Sequence, residues 1–259
     1  MPKFAANLTM LFNELQFLDR FGAAAKAGFT GVEFLFPYDF EPEQIAAQLD
    51  KQQLQMVLHN LPAGNWAAGE RGIACHPGRV QEFRDGVEQA IRYAKALGTQ
   101  RINCLVGILP QGVERAVAQQ VLVQNLKFAA DRLKEEGLPL LIEPINTFDI
   151  PGFFLSNTRQ ALELIDAVAS DNLFLQYDIY HMQRMEGELA ATIKANLHLI
   201  RHIQLADNPG RFEPGTGEIN YRYLLALLDE IKYQGWVGCE YKPRNGTVDG
   251  LGWRSALVA

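Results

Sequence analysis

The chain has 259 residues, of which 48% are hydrophobic and 21% charged, with a formal net charge of −6. That is ordinary for a soluble globular protein with a core large enough to need no disulfides, and the acidic balance argues against a general nucleic-acid binder, whose footprint is basic. No apolar run approaches the ~20 residues that span a bilayer, the start Met1-Pro2-Lys3-Phe4 lacks the parts of a secretory signal, and the three widely spaced cysteines Cys75, Cys104 and Cys239 read as free thiols of a cytoplasmic protein.

Short apolar strand-like runs alternate with longer amphipathic stretches. Phe4–Leu8, Gly31–Phe36 and Gln55–His59 are the first three runs. The longest irregular segment, 60–79, follows, rich in Gly, Pro and Ala. Val80, Phe83, Val87, Ile91, Ala94 and Leu97 then recur at steps of three or four, the stripe of a helix, with Gly98 as its C-terminal cap. Arg101–Val106 and Leu138–Glu143 are the fourth and fifth strands. Ala161, Leu162, Ile165 and Val168 form a second stripe behind an N-cap at Ser156 or Asn157. Leu173–Asp178 and His202–Ala206 follow as strands. A third stripe of Tyr221, Leu224, Leu225, Leu228 and Ile231 precedes the last strand, Trp236–Glu240. Several strands are apolar at consecutive positions, as strands covered on both faces in a parallel sheet are. Gly28, Gly98, Gly137 and Gly235 each fall between a helix and the next strand, where helices stop.

Eight strand–helix units in 259 residues average about 32 residues each. The spacing predicts an α/β protein: a single (β/α)8 TIM barrel domain over 1–259, with its active site at the C-terminal ends of the strands. The segment 60–79 would lie on that face. The competing architecture is a doubly wound open sheet, weakened because no Gly-rich phosphate fingerprint follows the first strand.

In a barrel, the polar residue that ends each strand points at one shared cavity. In order these are Asn7, Glu33, His59, Asn103 or the Val106-Gly107 end, Glu143, Asp178, Gln204 and Glu240. Glu143, Asp178 and Glu240 are embedded in apolar runs, where a carboxylate is costly unless paired, protonated or bound to a metal. Each acid can pair with a Lys or Arg across the barrel. Alternatively, Glu143, Asp178, Gln204 and Glu240, from four consecutive strands, offer four oxygen donors to a hard divalent cation, Mg2+ or Mn2+ rather than zinc. His59 and His181 each read either as structural or as a substrate contact. His202 reads as a strand residue packed away from the pocket. Asp149 sits near the substrate or shapes the turn before Pro151, and Cys104 and Cys239 pack as small apolar groups.

The segments Leu141-Ile142-Glu143-Pro144-Ile145-Asn146, Gln176-Tyr177-Asp178-Ile179-Tyr180-His181-Met182, His202-Ile203-Gln204-Leu205-Ala206-Asp207-Asn208 and Gly238-Cys239-Glu240-Tyr241-Lys242-Pro243 resemble hydroxypyruvate isomerases. So do the stretches His59–Arg79 and Glu213–Tyr221. That family is a branch of the xylose-isomerase-like sugar isomerase and epimerase barrels, and the resemblance covers essentially the whole chain. It implies an enzyme of cytoplasmic glyoxylate metabolism that interconverts hydroxypyruvate and 2-hydroxy-3-oxopropanoate (tartronate semialdehyde) through a metal-stabilised enediolate. It implies Glu143 and Glu240 as the acid/base pair and Glu143, Asp178, Gln204 and Glu240 as the site of a divalent metal, Mg2+ or Mn2+. Many relatives in the wider superfamily carry histidine where this chain has Gln204, and an amide oxygen holds metal more weakly than imidazole.

The resemblance also turns His181, and with it His59, toward substrate contact. The implied partner is a small 2-oxo or hydroxy acid, with no nucleic acid and no membrane; homo-oligomerisation is left open. Such an anion needs a cation facing its carboxylate. Arg211, Lys242 and Arg71 are the candidates, and Arg211 is favoured because its fork binds carboxylates bidentately. The alternatives are an isomerase or epimerase of 2-oxo-tetronate or a related sugar acid or ketose, a non-catalytic sensor on the same barrel, and an abasic-site endonuclease. The last requires several metals, more histidines than the five present and a basic groove.

Overall fold

A computed structural model describes residues 2–258. Among them, eight strands follow one another as β1 (Lys3–Asn7), β2 (Gly31–Glu33), β3 (Gln55–Asn60), β4 (Ile102–Cys104), β5 (Leu140–Ile142), β6 (Leu173–Asp178), β7 (Ile200–Leu205) and β8 (Trp236–Cys239). Each pairs in parallel with the next, and β1 closes on β8, so the sheet is a closed barrel. The helices that cross between strands are α1 (Phe17–Lys26), α2 (Pro42–Gln52), α3 (Val80–Leu97), α4 (Arg115–Glu135), α5 (Thr158–Val168), α6 (Ile179–Met185), α7 (Leu189–Asn196) and α8 (Tyr221–Glu230), with α9 (Trp253–Val258) after the last strand. No helix among the described residues is long and apolar enough to cross a membrane.

Parallel strands need such crossovers, and the crossovers cover the outer face of the sheet. Phe21, Ile45, Val87, Leu122, Leu164 and Leu224 on the helices are buried with the outward side chains of the strands. Each fully buried side chain of this kind contributes roughly 1.5–3 kcal/mol, which offsets the cost of ionisable groups elsewhere. Inside the barrel the lower part is apolar: Ala5, Val57, Leu58, Leu141 and Trp236 form a separate small core. Toward the C-terminal ends the interior turns polar, with Asn7, Glu33, Asn103, Gln176, His202 and Gln204 all buried.

Two loops at that end are tied down. Segment 60–79 is anchored by Leu61 N donating to Asn103 O (2.8 Å) and Cys75 N donating to Val106 O (3.0 Å). Gly72, at φ +112°, lies so close to the β4 exit that a Cβ would sit 2.0 Å from Leu105 O. After β7, the buried carboxylate of Asp207 accepts the backbone N–H groups of Asn208, Gly215, Thr216 and Ile219 at 2.8–3.1 Å. That loop carries Arg211, which adopts φ +58° and turns its side chain back over the barrel mouth.

Candidate active site

A cavity of about 370 Å³ opens at the C-terminal end of the barrel. Glu143, Gln176, Gln204 and Glu240 contribute to its lining, together with His181, Arg211 and Lys242; Leu58, Leu105, Ile145 and Trp66 supply apolar wall. The strand pleat explains the polar set. Alternate residues of a strand point to opposite faces, so Gln176 and Asp178 of β6, and His202 and Gln204 of β7, turn inward together. Glu143 and Glu240 continue the inward positions of β5 and β8 one residue past the strand ends.

The two glutamates are joined by a chain of two amides. Gln176 Nε2 donates to Glu143 Oε2 (2.8 Å) and to Gln204 Oε1 (2.7 Å), and Gln204 Nε2 donates to Glu240 Oε2 (2.5 Å). Asn103 Nδ2 also donates to Glu143 Oε2 (3.0 Å), and Asn7 Nδ2 to Glu240 Oε2 (3.3 Å). Beneath this chain sits Glu33. It accepts from Gln204 Nε2 (2.7 Å), Asn7 Nδ2 (3.0 Å) and His202 Nε2 (2.6 Å). Gly238 leaves the space that Glu33 fills: a Cβ there would lie 2.3 Å from Glu33 Oε1.

The principal cation is Arg211. Its Nη2 donates to Glu240 Oε1 at 2.6 Å and lies 3.8 Å from Asp178 Oδ2. Asp178 caps α6, its Oδ1 accepting from Tyr180 N (2.8 Å) and His181 N (3.4 Å), while its buried Oδ2 has no hydrogen-bond partner. His181 Nε2 stands 3.6 Å from that oxygen and 3.9 Å from Glu143 Oε1.

One guanidinium stands among four buried carboxylates, Glu33, Glu143, Asp178 and Glu240, and burial together with their mutual repulsion shifts the proton affinities. Burial, then the charges of Glu240 and Asp178, hold Glu143 well above the usual carboxylate range. Burial pushes Glu240 up to about 8, with Arg211 drawing it back toward the ionised form. Burial also raises Asp178 to about 6, against the pull of Arg211 and of the two backbone N–H groups. Burial, with the positive charges of Arg211 and Arg184, keeps His181 well below its ordinary value, as the neutral ring.

Glu143, Asp178 and His181 bring ligand atoms within 4.8 Å of one another, close enough to hold one metal ion. The unpartnered Asp178 Oδ2 and the excess acidic charge suit a divalent cation at this cluster; Glu240, held by Arg211 through Oε1 and by Gln204 through Oε2, stands beside it. Gln204 meets this less well as it stands. Its nitrogen, not its oxygen, faces Glu240, and its oxygen is taken by Gln176. To ligate beside Glu240 the amide must turn over, against Glu33.

Of the expected substrate contacts, His181, Arg211 and Lys242 line the cavity. His59 does not. It is fully buried on the helix side of β3, with Nδ1 3.2 Å from Thr99 Oγ1, and burial lowers it to about 3. Its strand neighbours Leu58 and Asn60 line the cavity instead, so the expectation for His59 fails by the parity of one pleat. His202 does not line the cavity either, yet it faces the barrel interior, against Glu33. Lys242 is exposed on the rim and makes no ion pair among the described residues. Asp149 lines the cavity and is bound by Asn146, Tyr180 and Arg184. The sequence reading missed Gln176, Asn146, Tyr180 and Arg184. Gln176 had a signal, standing two residues before Asp178 on one strand and so on the same face. Arg184 also had one, at a single helical turn beyond Tyr180.

The family model of the xylose isomerase-like TIM barrel matches residues 21–257. Hydroxypyruvate isomerase of Escherichia coli is 60% identical over 98% of each chain. A 2-oxo-tetronate isomerase of Cupriavidus necator is 47% identical, over 98% of this chain and 97% of that one. A crystal structure described as an AP endonuclease of family 2 from Brucella melitensis superposes with TM-score 0.96 at 46% identity, covering 99% of both chains.

Proposed function

The chain belongs to the xylose isomerase-like TIM barrel family, as an isomerase of its hydroxypyruvate isomerase branch, and from that premise we propose that it interconverts hydroxypyruvate and 2-hydroxy-3-oxopropanoate. The observation that carries the reading is the unequal pair of glutamates facing one cavity. Glu240 has Arg211 in direct contact; Glu143 has only amides. Glu240 therefore gives up its proton first and starts as the base, while Glu143 starts as the acid.

Glu240 removes a proton from the hydroxyl-bearing carbon C3 of hydroxypyruvate. The electron pair of that C–H bond forms the C2–C3 double bond of an enediolate, and charge moves onto the C2 oxygen. The proton of the C3 hydroxyl passes to the C2 oxygen as C3 becomes the aldehyde. Glu143 gives its proton to C2. Glu240 ends protonated and Glu143 ionised, and exchange with solvent restores the starting state. A divalent ion, the Mg2+ or Mn2+ of the sequence reading, would be held by Glu143, Asp178 and Glu240 and would supply positive charge to offset the charge of the enediolate.

The chain's own residues do the remaining work. Gln176 and Gln204 fix the distance between the two carboxylates. Arg211 steadies Glu240 in its ionised form, and Lys242, uncommitted at the rim, takes the substrate carboxylate. His181 contacts the reacting oxygens. Trp66 and its neighbours restrict water. The cavity has room for more than three carbons, which favours a second reading as a 2-oxo-tetronate isomerase, and the net charge of −6 does not suit an endonuclease.

The test is NMR in D2O with hydroxypyruvate, after chelation and with added Mg2+ or Mn2+, with the four-carbon acid run in parallel. Turnover of hydroxypyruvate and a loss of about 10³-fold or more in both Glu143→Gln and Glu240→Gln are expected. Absence of interconversion by the native protein would exclude the substrate, and activity retained in both variants would exclude the acid/base pair.

A further inference from the structure

The two ring nitrogens of His181 keep different company. Nε2 faces Asp178 and Glu143, and Nδ1 lies 2.6 Å from Nδ2 of Asn146. Which of the two nitrogens is bare is decided one residue further out. Asn146 Oδ1 accepts the backbone N–H groups of Phe148 (3.1 Å) and Asp149 (2.8 Å). A backbone N–H only donates. The amide oxygen is therefore fixed on that side, and turning the group over would set its NH2 against two further N–H donors. Asp149 Oδ2 reinforces the orientation by accepting from the same Nδ2 at 3.0 Å.

The atom presented to His181 is thus an amide NH2, which has no capacity to accept. Nδ1 must be the bare, accepting nitrogen. We propose that Asn146 is a positioning residue that locks His181 in the tautomer with its proton on Nε2, so that the imidazole enters the site as a hydrogen-bond donor and not as a metal ligand. A ring nitrogen bearing hydrogen has no lone pair to give a metal. The surroundings also run opposite to those of a ligating histidine, whose second nitrogen donates to a carboxylate, a carbonyl or water; here the second nitrogen receives a hydrogen bond. Among Glu143, Asp178 and His181, this leaves the metal to the acids.

The tautomer follows from the hydrogen bonds alone. Its catalytic use rests on the isomerase reading above: Nε2 lies beside Glu143 in the lining of the cavity, and a preorganised donor to a substrate oxygen there strengthens as charge grows on that oxygen.

Nitrogen-15 NMR of the full chain, labelled in histidine, reads the tautomer directly near neutral pH, with His181 assigned by the signal lost in His181→Gln. A bare Nδ1 and a proton-coupled Nε2 are expected after chelation and unchanged with Mg2+ added. Asn146→Asp replaces the donor with an oxygen that accepts from Nδ1–H, while its other oxygen keeps the two backbone bonds. That variant is expected to reverse the tautomer, with kcat down about 10²-fold and KM moved by less than about threefold. A proton on Nδ1 in the native protein, a doubly protonated ring, or loss of the Nε2 proton on adding Mg2+ overturns the proposal. An unchanged tautomer in Asn146→Asp overturns the part given to Asn146; if that variant does not fold, the native spectrum still decides the tautomer. Native protein with the expected tautomer but no turnover of hydroxypyruvate would sink the proposed function and leave the lock standing.

Discussion

Raising the pH from 6.5 to 8 in the presence of a chelator should destabilise the protein by about 2 kcal/mol. Glu240 titrates ordinarily at 4.5 but at about 8 in its buried place, so between those values the folded state holds a proton that the unfolded chain lacks. Stability then falls as pH rises, by at most about 1.4 kcal/mol per pH unit for one such proton. At pH 8 half of Glu240 is already ionised and the slope has fallen by half, which brings the loss over this window to the figure above. Glu143, held up by burial and by the charges of Glu240 and Asp178, acts with the same sign. His59 and His181 act with the opposite sign, because burial keeps both neutral in the fold. Most of their contribution is complete by the ordinary histidine value of 6.5; above it each adds back only about 0.4 kcal/mol, so the carboxylates dominate the chosen window. For a chain of this size, each kcal/mol moves Tm by roughly 2–4 °C, so a fall of about 4–8 °C is expected. Thermal melts followed by circular dichroism across the window measure it. Glu240→Gln should flatten the slope, and excess Mg2+ should flatten it by supplying the missing positive charge. A chelated native protein whose Tm is level or rises from 6.5 to 8, or a Glu240→Gln variant with the native slope, would refute the reasoning.

Lys242→Met should raise KM for hydroxypyruvate by roughly tenfold with little change in kcat, since an anchor far from the reacting carbons contributes to binding in ground and transition state alike; steady-state kinetics decide it, and an unchanged KM removes Lys242 from the substrate. Gly238→Ala should cost about 1–3 kcal/mol by driving a methyl into the Glu33 carboxylate. An unshifted melting temperature would mean that Glu33 does not pack against β8.

The barrel was legible because its physics is local and repeated. Strands apolar at consecutive positions, helix stops at Gly98 and Gly137 and the regular spacing all point to one architecture. What stayed hidden was fainter in the same code. Helix α4 buries Ala118, Ala129, Ala130 and the polar Asn125, whose Nδ2 donates to Ala74 O, so its core-facing stripe carries little hydrophobic contrast. The β6–β7 crossover is broken by Gly187 and Glu188, both at positive φ, into the two short helices α6 and α7, neither long enough to show a period.

The site divides along a similar line. That Glu143, Asp178, Gln204 and Glu240 converge follows from strand ends alone, because a barrel has one mouth. Whether His59 faces that mouth depends on a pleat parity that one residue reverses, and the register of β2 on β3 shifts just before it. The chemistry is finer still. Gln204 is an oxygen ligand or a nitrogen donor according to where Glu33 and Gln176 stand, and His181 is a donor or a ligand according to two backbone N–H groups that Asn146 accepts. In both cases the role of a site residue is set by a partner's partner, brought from another strand or loop by the closed sheet. Residue type and spacing name the groups that meet in this cavity; only the fixed donors around them decide which atom each one turns toward the substrate.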